Sequence, residues 1–230
     1  MADTEGAFLP MWPQDASDEY IRARMELAAA GRRLRDEIEN VAAARRALPP
    51  GALVEDYRFT EGDPERPARL SQLFGDHDTL VIYHLMFHPE ADAACPMCSM
   101  WVDGFHGVGH HLAQHTGFAV VAKAPLAKLR DWAAKRGWDG LRLLSSHGTT
   151  FNADLHAEYP NGDQRPMISV FTRDPGTAAI RHFHSLPANF TDGSQRAIDL
   201  LSPVWNVLDL LPGGRGEWYA DNSYAGRSRS

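Results

Sequence analysis

The sequence predicts an α/β protein with a mixed central sheet and a long N-terminal helix. Three observations support this fold class. Short apolar segments of strand length alternate with amphipathic segments of helix length along most of the 230 residues. The last two strand segments are separated only by residues 173–177, which favours a hairpin and hence antiparallel strands beside parallel ones. A single uninterrupted helical pattern precedes the first strand.

The first predicted element is a helix over residues 15–47, rich in Ala, Arg, Glu and Leu. Ser17 is a suitable N-cap, and the Pro49-Pro50-Gly51 run ends the helix. An apolar stripe with a seven-residue repeat follows the helix, and Ile38 lies beside it. The stripe consists of Tyr20, Leu27, Leu34, Val41 and Leu48. This stripe is equally compatible with two arrangements. The helix either packs on the protein's own domain or forms a homodimer with a second copy of the chain.

The elements of the α/β region follow in order. A short strand at residues 57–59 precedes a buried strand over 79–87, because the run TLVIYHLMF is apolar almost throughout. Pro203 is expected to kink or restart the closing helix. The further predicted elements are a helix over 99–114, a strand over 117–122, a helix over 124–138, strands over 141–146, 167–172 and 179–186, and a helix over 196–212.

This order of elements predicts three regions. Residues 1–50 form a leader and a helical arm, residues 51–220 form the α/β domain, and residues 221–230 form a flexible tail. A chain of this length is long enough to bury a sizeable core in one large domain.

Composition excludes several classes of protein. A net charge of -7 argues against binding to nucleic-acid phosphates. No run of about 18 apolar residues is present, so no transmembrane helix is expected. The acidic N-terminus lacks the basic start and apolar stretch of a signal peptide. We therefore expect a cytoplasmic protein, where a reactive dithiol is more usual than a structural disulfide.

The only two cysteines form the motif Cys95-Pro96-Met97-Cys98, which follows the buried strand and begins a helix. Unpaired N–H groups and the helix dipole at such a terminus stabilise a thiolate. The motif predicts that Cys95 is an exposed nucleophile which attacks a disulfide, and that Cys98 is the buried resolving thiol. Two reduced core cysteines that happen to be close are the alternative interpretation.

Two more residues are candidates for the same site. Pro166 stands directly before the strand 167–172, either as a trans proline entering the strand or as a cis proline facing a substrate near Cys95. His84, inside the buried strand, is either a proton acceptor for the resolving Cys98 or a core histidine bonded to the backbone.

The order of strand, CxxC helix, proline-led strand, hairpin and helix resembles the thioredoxin fold. More narrowly, the chain resembles the bacterial thioredoxin-like family known as domain of unknown function 899, over roughly residues 17–215. The matching segments include LPPGALVEDYRF, LVIYHLMF, CPMCSMWVDGF, LLSSHGTTFNADL and MISVF. The resemblance implies a thioredoxin-like three-layer fold, redox chemistry at Cys95 and Cys98, and Pro166 at the cis-proline position. It implies no particular substrate, so a disulfide-containing protein or a small-molecule thiol is the expected partner.

Histidines near the motif keep a metal-binding alternative open. The chain departs from the family pattern by carrying His88 after the strand and His106 in the following helix. His106 and His110 are four residues apart, which places them on one helical face. No cofactor is expected of a dithiol enzyme; in the alternative, Cys95, Cys98, His88, His106 and His110 supply ligands for copper or zinc.

A peroxidase is the remaining alternative. The segment FHPEADAAC is similar to the approach to the reactive cysteine of a peroxiredoxin. Asp92 stands near the position where those enzymes carry a hydroxyl, and an acidic side chain there raises the pKa of a thiol. Disulfide exchange is therefore the preferred enzymatic hypothesis.

Overall fold

The computed structural model of the protein describes residues 10–190 and 192–223. The first nine residues of the predicted leader and the last seven of the predicted tail lie outside the described residues. The chain divides into two units, Met1–Pro49 and Pro50–Ser230. Within the described ranges, no helix is both long enough and apolar enough to cross a membrane.

The first unit contains helix α1, Asp18–Arg46. The predicted N-cap is confirmed, because Ser17 Oγ accepts a hydrogen bond from the backbone N–H of Tyr20 at 3.2 Å. Acidic residues occupy the first turn and basic residues the last, which complements the helix dipole. No residue of α1 is buried, so the helix depends on the strong helix propensity of its Ala, Arg, Glu and Leu residues.

The second unit contains the sheet. Its described strands are β1 (Arg58–Glu61), β2 (Arg66–Arg69), β3 (Thr79–Leu85), β4 (Gly117–Ala122), β5 (Leu143–Ser145), β6 (Met167–Arg173) and β7 (Ile180–Pro187). Its described helices are α2 (Pro96–Leu112), α3 (Leu126–Arg136), α4 (Phe151–Asp154) and α5 (Pro203–Leu208), with 3₁₀ turns at Leu70–Phe74 and Asp199–Leu201.

The strand order is β2-β1-β5-β4-β3-β6-β7. Strands β3, β4 and β5 are parallel, with α2 and α3 as the connecting helices, whereas β6 and β7 form an antiparallel hairpin beside β3. The sheet is therefore mixed, as predicted. The four strands β4-β3-β6-β7, with α2 between β3 and β4, have the arrangement of the thioredoxin fold, which confirms the predicted fold class.

Strand β2 was not predicted. It contains Pro67, and proline within a segment normally argues against a strand. Pro67 pairs with Thr60 at the edge of the sheet, where its missing N–H has no neighbouring strand to bond. The closing helix begins again at Pro203 as predicted, but it is shorter than expected, because the chain before Pro203 forms only a 3₁₀ turn at Asp199–Leu201.

The pleat of β3 divides its side chains between two cores. Tyr83 and Leu85 belong to a core beneath α2, α3 and α5, called here the α2-side core. Leu80 and Ile82 belong to a core beneath α4 and the 3₁₀ turn at Leu70–Phe74, called here the α4-side core. Helical elements therefore cover both faces of the sheet and give the three layers that were predicted.

Phe151 lies at the centre of the α4-side core and is fully buried. Its ring packs against four others, with centroid distances of 4.8 to 6.5 Å. These partners are Tyr57, Phe59, His84 and Phe171.

Replacing Phe151 with Ala is expected to lower the free energy of unfolding by about 3–5 kcal/mol, because the substitution leaves a cavity among packed rings. Urea denaturation followed by circular dichroism measures this change. Phe190→Ala is the control, since that side chain is 51% exposed. The control should change stability by less than about 0.5 kcal/mol. Equal losses in the two variants would contradict the central position of Phe151.

Candidate functional site

The cysteine motif lies where the chain leaves β3 and begins α2. Cys95 is the N-cap of α2, and Pro96 occupies the first helical position, where its missing N–H costs nothing. The backbone N–H of Cys95 donates to the carbonyl of Met86 at 2.9 Å, which ties the start of the helix to the end of the strand. Lys128 Nζ donates to two carbonyls of the connecting loop at 2.8 and 3.0 Å and holds it in place.

The two thiols have different environments. Both are free cysteines; Cys95 is half-buried, whereas Cys98 is only 1% exposed and belongs to the α2-side core. Cys98 is buried as predicted, whereas Cys95 is half-buried and therefore less accessible than the exposed thiol that the motif predicts. The difference arises because Cys95 caps the helix at its open end, while Cys98 lies one turn later on the face that packs against the sheet.

The environment of Cys95 favours its thiolate. A hydrogen bond from the Cys98 thiol, with further hydrogen bonds from the backbone N–H groups of Met97 and Cys98, lowers the pKa of Cys95 to about 6 against the opposing effect of burial. The same thiol–thiol hydrogen bond, together with burial and the charge of Cys95, raises the pKa of Cys98 well above its ordinary value. At neutral pH the pair therefore holds one negative charge, on Cys95.

Tyr83 is a site residue that the sequence analysis missed. Its hydroxyl is buried and makes no hydrogen bond of ordinary geometry with the described residues. It lies beside Cys98 and acts to lower the pKa of that thiol. Burial is the largest cause that raises the pKa of Tyr83 well above its ordinary value, and repulsion from an ionised Cys98 is the next. The phenol therefore keeps its proton.

His84 lies on the opposite face of the sheet from the cysteines. Its ring stacks on Phe151 in the α4-side core, with centroids 5.3 Å apart. The expected placement of His84 beneath the CxxC helix is therefore wrong. Side chains alternate along a strand, so Tyr83 faces Cys98 and the next residue must face away.

His84 instead belongs to a buried polar chain. Its Nε2 lies 2.9 Å from Ser169 Oγ, which lies 2.8 Å from Ser185 Oγ, which in turn lies 2.8 Å from His182 Nε2. Burial, with a smaller effect of nearby His182, lowers the pKa of His84 to about 3. Burial also lowers the pKa of His182. Both imidazoles are therefore neutral at pH 7.

A cavity of about 620 Å³ opens beside Cys95. Its wall is formed by the start of α2, by the chain on either side of the β6–β7 hairpin, and by the C-terminal segment. Its aromatic lining residues are Trp101, Tyr159, Trp205, Trp218 and Tyr219, and its described charged lining residues are Arg165, Arg196, Asp199 and Arg215. None of these residues was predicted, because none belongs to a motif and all but Trp101 are distant from the cysteines in sequence.

The C-terminal segment is fixed against the cysteine loop. Asn222 Nδ2 donates to the carbonyl of Ala94 at 2.9 Å, and Arg136 donates to the carbonyl of Asn222 at 3.4 Å. Ala220 is buried in the α2-side core. Tyr219 lies near enough to the thiols that burial and the charges of Cys95 and Cys98 raise its pKa.

Pro166 lines the same cavity as Cys95. Among the described residues the one cis peptide bond joins Asp63 to Pro64, so the cis form considered for Pro166 is wrong. The Pro166 carbonyl accepts a hydrogen bond from the N–H of Ala188 at 3.0 Å. Pro166 therefore continues the β6–β7 pairing by one residue, as an ordinary trans proline entering a strand.

The alternative metal ligands are not brought together. His106 Nε2 lies 2.9 Å from Asp139 Oδ1, the His110 ring packs on His111, and His88 Nδ1 accepts from the N–H of Glu90. Within the described residues, no three His, Cys, Asp or Glu side chains form a group that could hold a metal ion. Helix α2 itself keeps these ligands apart, because the eleven residues from Cys95 to His106 span roughly 16 Å along its axis.

Comparison with known proteins identifies the family. The model of the family described as "Bacterial protein of unknown function (DUF899)" matches residues 12–228, and the chain therefore belongs to that family. The comparison with curated proteins found no match.

Several solved structures are similar at low sequence identity. Peroxidoxin BcpB from Mycobacterium tuberculosis is 20% identical, with a TM-score of 0.46, over 62% of this chain and 88% of that chain. PrxQ from Xylella fastidiosa is 14% identical, with a TM-score of 0.46, over 68% and 95%. The reduced 2-Cys peroxiredoxin from Plasmodium vivax is 13% identical, with a TM-score of 0.48, over 70% and 97%. Similarity at this level carries no information about the substrate.

The reactivity of Cys95 should follow its lowered pKa, because the thiolate is the nucleophile. Alkylation of Cys95 by iodoacetamide, measured peptide by peptide with mass spectrometry, is expected to have a midpoint near pH 6. Cys98→Ala should raise the midpoint, since the hydrogen bond from Cys98 is the largest cause of the low pKa. A wild-type midpoint at or above about pH 8 would contradict the described environment.

The buried histidine should make the protein sensitive to acid. The pKa of His84 is about 3 in the folded chain and about 6.5 in an unfolded one, so stability is full above pH 6.5 and falls as pH approaches 3. Each such group contributes a slope of at most about 1.4 kcal/mol per pH unit. His182 contributes with the same sign.

His84→Gln should flatten this dependence, because glutamine keeps hydrogen-bonding groups but does not titrate. Unfolding free energies from urea titrations at several pH values between 6.5 and 4 measure the slope. The exposed His115→Gln substitution is the control and should leave the wild-type slope unchanged. A slope in His84→Gln as steep as that of the wild type would show that His84 is not the acid-sensitive group.

Proposed function

We propose that this DUF899 protein is a thiol-disulfide oxidoreductase, with Cys95 as the nucleophile and Cys98 as the resolving thiol. The observation that carries the proposal is the asymmetry of the pair. The half-buried Cys95 has its pKa lowered to about 6, and the buried Cys98, one helical turn later, has its pKa raised. Cys95 caps the open end of α2 beside the cavity, and Cys98 lies buried one turn later, which is the arrangement that an attacking thiol and a resolving thiol require.

The reaction proceeds in two exchanges. The Cys95 thiolate attacks one sulfur of a substrate disulfide, a mixed disulfide forms at Cys95, and the first substrate thiolate leaves. Cys98 then gives its proton to the departed substrate thiolate and attacks Cys95 Sγ. A Cys95–Cys98 disulfide forms and the second substrate thiolate leaves. The two electrons that reduce the substrate come from the dithiol, so the step needs no cofactor.

Tyr83 is proposed to assist the second exchange. Once Cys95 is in a mixed disulfide, it carries no charge to oppose ionisation of Cys98. The buried hydroxyl of Tyr83 beside Cys98 is then a donor for the forming thiolate. Pro166, in the cavity wall with both cysteines, is proposed to define the side from which a substrate approaches.

Peroxide reduction is the less favoured enzymatic candidate. Attack on a peroxide creates negative charge on the leaving oxygen, which hydroxyl and guanidinium donors must stabilise. Among the described residues, the cavity wall beside Cys95 includes arginines but neither Ser nor Thr. Disulfide exchange makes a smaller demand, because its leaving thiolate is a more stable anion than an alkoxide or hydroxide.

The two cysteines should differ when each is removed. Cys98→Ser is expected to accumulate a stable mixed disulfide at Cys95 after incubation with intact insulin or a small aromatic disulfide, because the resolving thiol is missing. Cys95→Ser should form no such adduct at neutral pH, since the remaining thiol is buried and protonated. Intact-mass spectrometry detects the adduct, and the wild type should instead show an internal disulfide two mass units lighter.

Two results would contradict the proposal. The first is equal adduct formation by Cys98→Ser and Cys95→Ser, which would mean that the thiols are equivalent. The second is failure of the wild type to oxidise in either disulfide while hydrogen peroxide oxidises it rapidly, which would favour the peroxidase instead.

A further inference from the structure

The cavity beside Cys95 has the size of a small-molecule site. Its volume of about 620 Å³ falls within the range of ordinary ligand pockets. On one side it is closed by Gly216, Trp218 and Tyr219 of the C-terminal segment, which the Asn222–Ala94 hydrogen bond fixes. The C-terminal segment therefore narrows the approach to Cys95 on that side.

Five aromatic side chains line the cavity. The rings of Trp205 and Trp218 pack edge to face, with centroids 5.4 Å apart. Trp101, Tyr159 and Tyr219 also line the space. Such walls favour a ligand with a flat or apolar body, because aromatic surfaces stack on one another and bury apolar area.

Three of the four described charged residues in the wall neutralise one another or their neighbours. Arg196 bonds Asp199 at 2.8 Å and Asp209 at 3.1 Å. Arg215 is paired with the same two carboxylates, and its guanidinium lies 4.7 Å above the Trp205 ring. Two arginines and two aspartates therefore form a neutral group and leave no charge for a ligand.

Arg165 is the exception. It is half-buried in the cavity wall, and its guanidinium makes no hydrogen bond or ion pair with any residue in the described ranges. Its backbone is fixed, because its N–H donates to Ala157 at 2.8 Å and the preceding Gln164 side chain bonds the backbone of Phe87. A guanidinium carries five donors and binds a carboxylate through two of them at once.

We propose that this cavity binds a small disulfide that has an aromatic or other flat apolar body and a carboxylate, and that Arg165 binds the carboxylate. The aromatic walls hold the body and Arg165 orients the molecule. Its disulfide lies against Cys95 Sγ. Reduction of this ligand rests on the proposed function. Binding of an apolar carboxylate in the cavity does not depend on that function. Reduction of one disulfide yields two carboxylate-bearing thiols and oxidises Cys95 and Cys98, and an external dithiol restores the pair.

The first experiment measures binding without redox chemistry. In a Cys95→Ser/Cys98→Ser protein, calorimetry compares naphthoate with the uncharged naphthylmethanol. Naphthoate should bind about tenfold more tightly, as expected of a charge-assisted hydrogen bond of about 1.5 kcal/mol. Arg165→Gln should remove this preference. Arg130→Gln is the matched control, because it removes the same charge from the rim of a different cavity.

A preference for naphthoate that survives Arg165→Gln, or that is absent from the starting protein, would overturn the proposal. Loss of the preference in both Arg165→Gln and Arg130→Gln would overturn it too, because the effect would then come from net charge alone. Circular dichroism and thermal melting of each variant establish that it is folded before binding is measured.

The second experiment measures reduction by the wild type. Dithiobis(nitrobenzoate) carries a carboxylate on each aromatic ring, and dithiodipyridine is a neutral aromatic disulfide. The protein is first reduced with dithiothreitol and freed of excess reductant, so that each molecule supplies one pair of electrons from Cys95 and Cys98. In this single turnover, Arg165→Gln should slow reduction of the carboxylate probe by about tenfold relative to the neutral probe. The ratio of the two probes cancels any effect of Arg165 on the reactivity of Cys95 itself.

The two proposals fail in different ways. If naphthoate binding depends on Arg165 but neither disulfide is reduced in a Cys95-dependent way, the ligand class stands and the oxidoreductase function falls. If both disulfides are reduced through Cys95 with the same ratio in wild type and Arg165→Gln, the function stands and the assignment of Arg165 falls.

Discussion

The position of β3 is the constraint on which the rest of the structure depends. The strand is hydrogen-bonded to β4 on one side and to β6 on the other, so its pleat cannot rotate. A loop connects its C-terminal end to the first turn of α2, where Cys95 is the N-cap. The same pleat sends Tyr83 towards Cys98 and His84 towards the opposite core. A shift of register by one residue would exchange these two side chains and place an imidazole beneath the thiols.

Opposing electrostatic effects give the cysteine pair its asymmetry. Burial by itself raises the pKa of both thiols, since it disfavours a thiolate. At Cys95 the hydrogen bonds from Cys98 and from the N–H groups of the first turn outweigh burial, whereas at Cys98 the neighbouring charge reinforces it. One helical turn thus separates a thiol that favours its thiolate from a thiol that keeps its proton. The arrangement needs no additional base in the ground state.

The cavity depends on contacts between segments that are far apart in sequence. The C-terminal segment contributes Trp218 and Tyr219, and it stays in place because Asn222 bonds the residue before Cys95. The Arg196, Arg215, Asp199 and Asp209 group rigidifies this segment and cancels its own charge. Among the described residues of the cavity wall, Arg165 is the one charged side chain without an ionic partner.

The sequence by itself determined the mixed α/β fold, the strand-to-helix placement of the CxxC motif and the N-cap of α1, because local periodicity and capping chemistry act within a few residues. Only the tertiary structure decided which side chain of β3 faces the thiols. A strand buried on both faces is apolar along its length, so its sequence does not reveal which side chains face which core. The expectation for His84 therefore belongs to Tyr83, the residue that lies beside Cys98. Strand β2 was hidden by Pro67, whose tolerance depends on an edge position. Arg165 and the C-terminal aromatic residues join the site only through long-range packing, which no local pattern records.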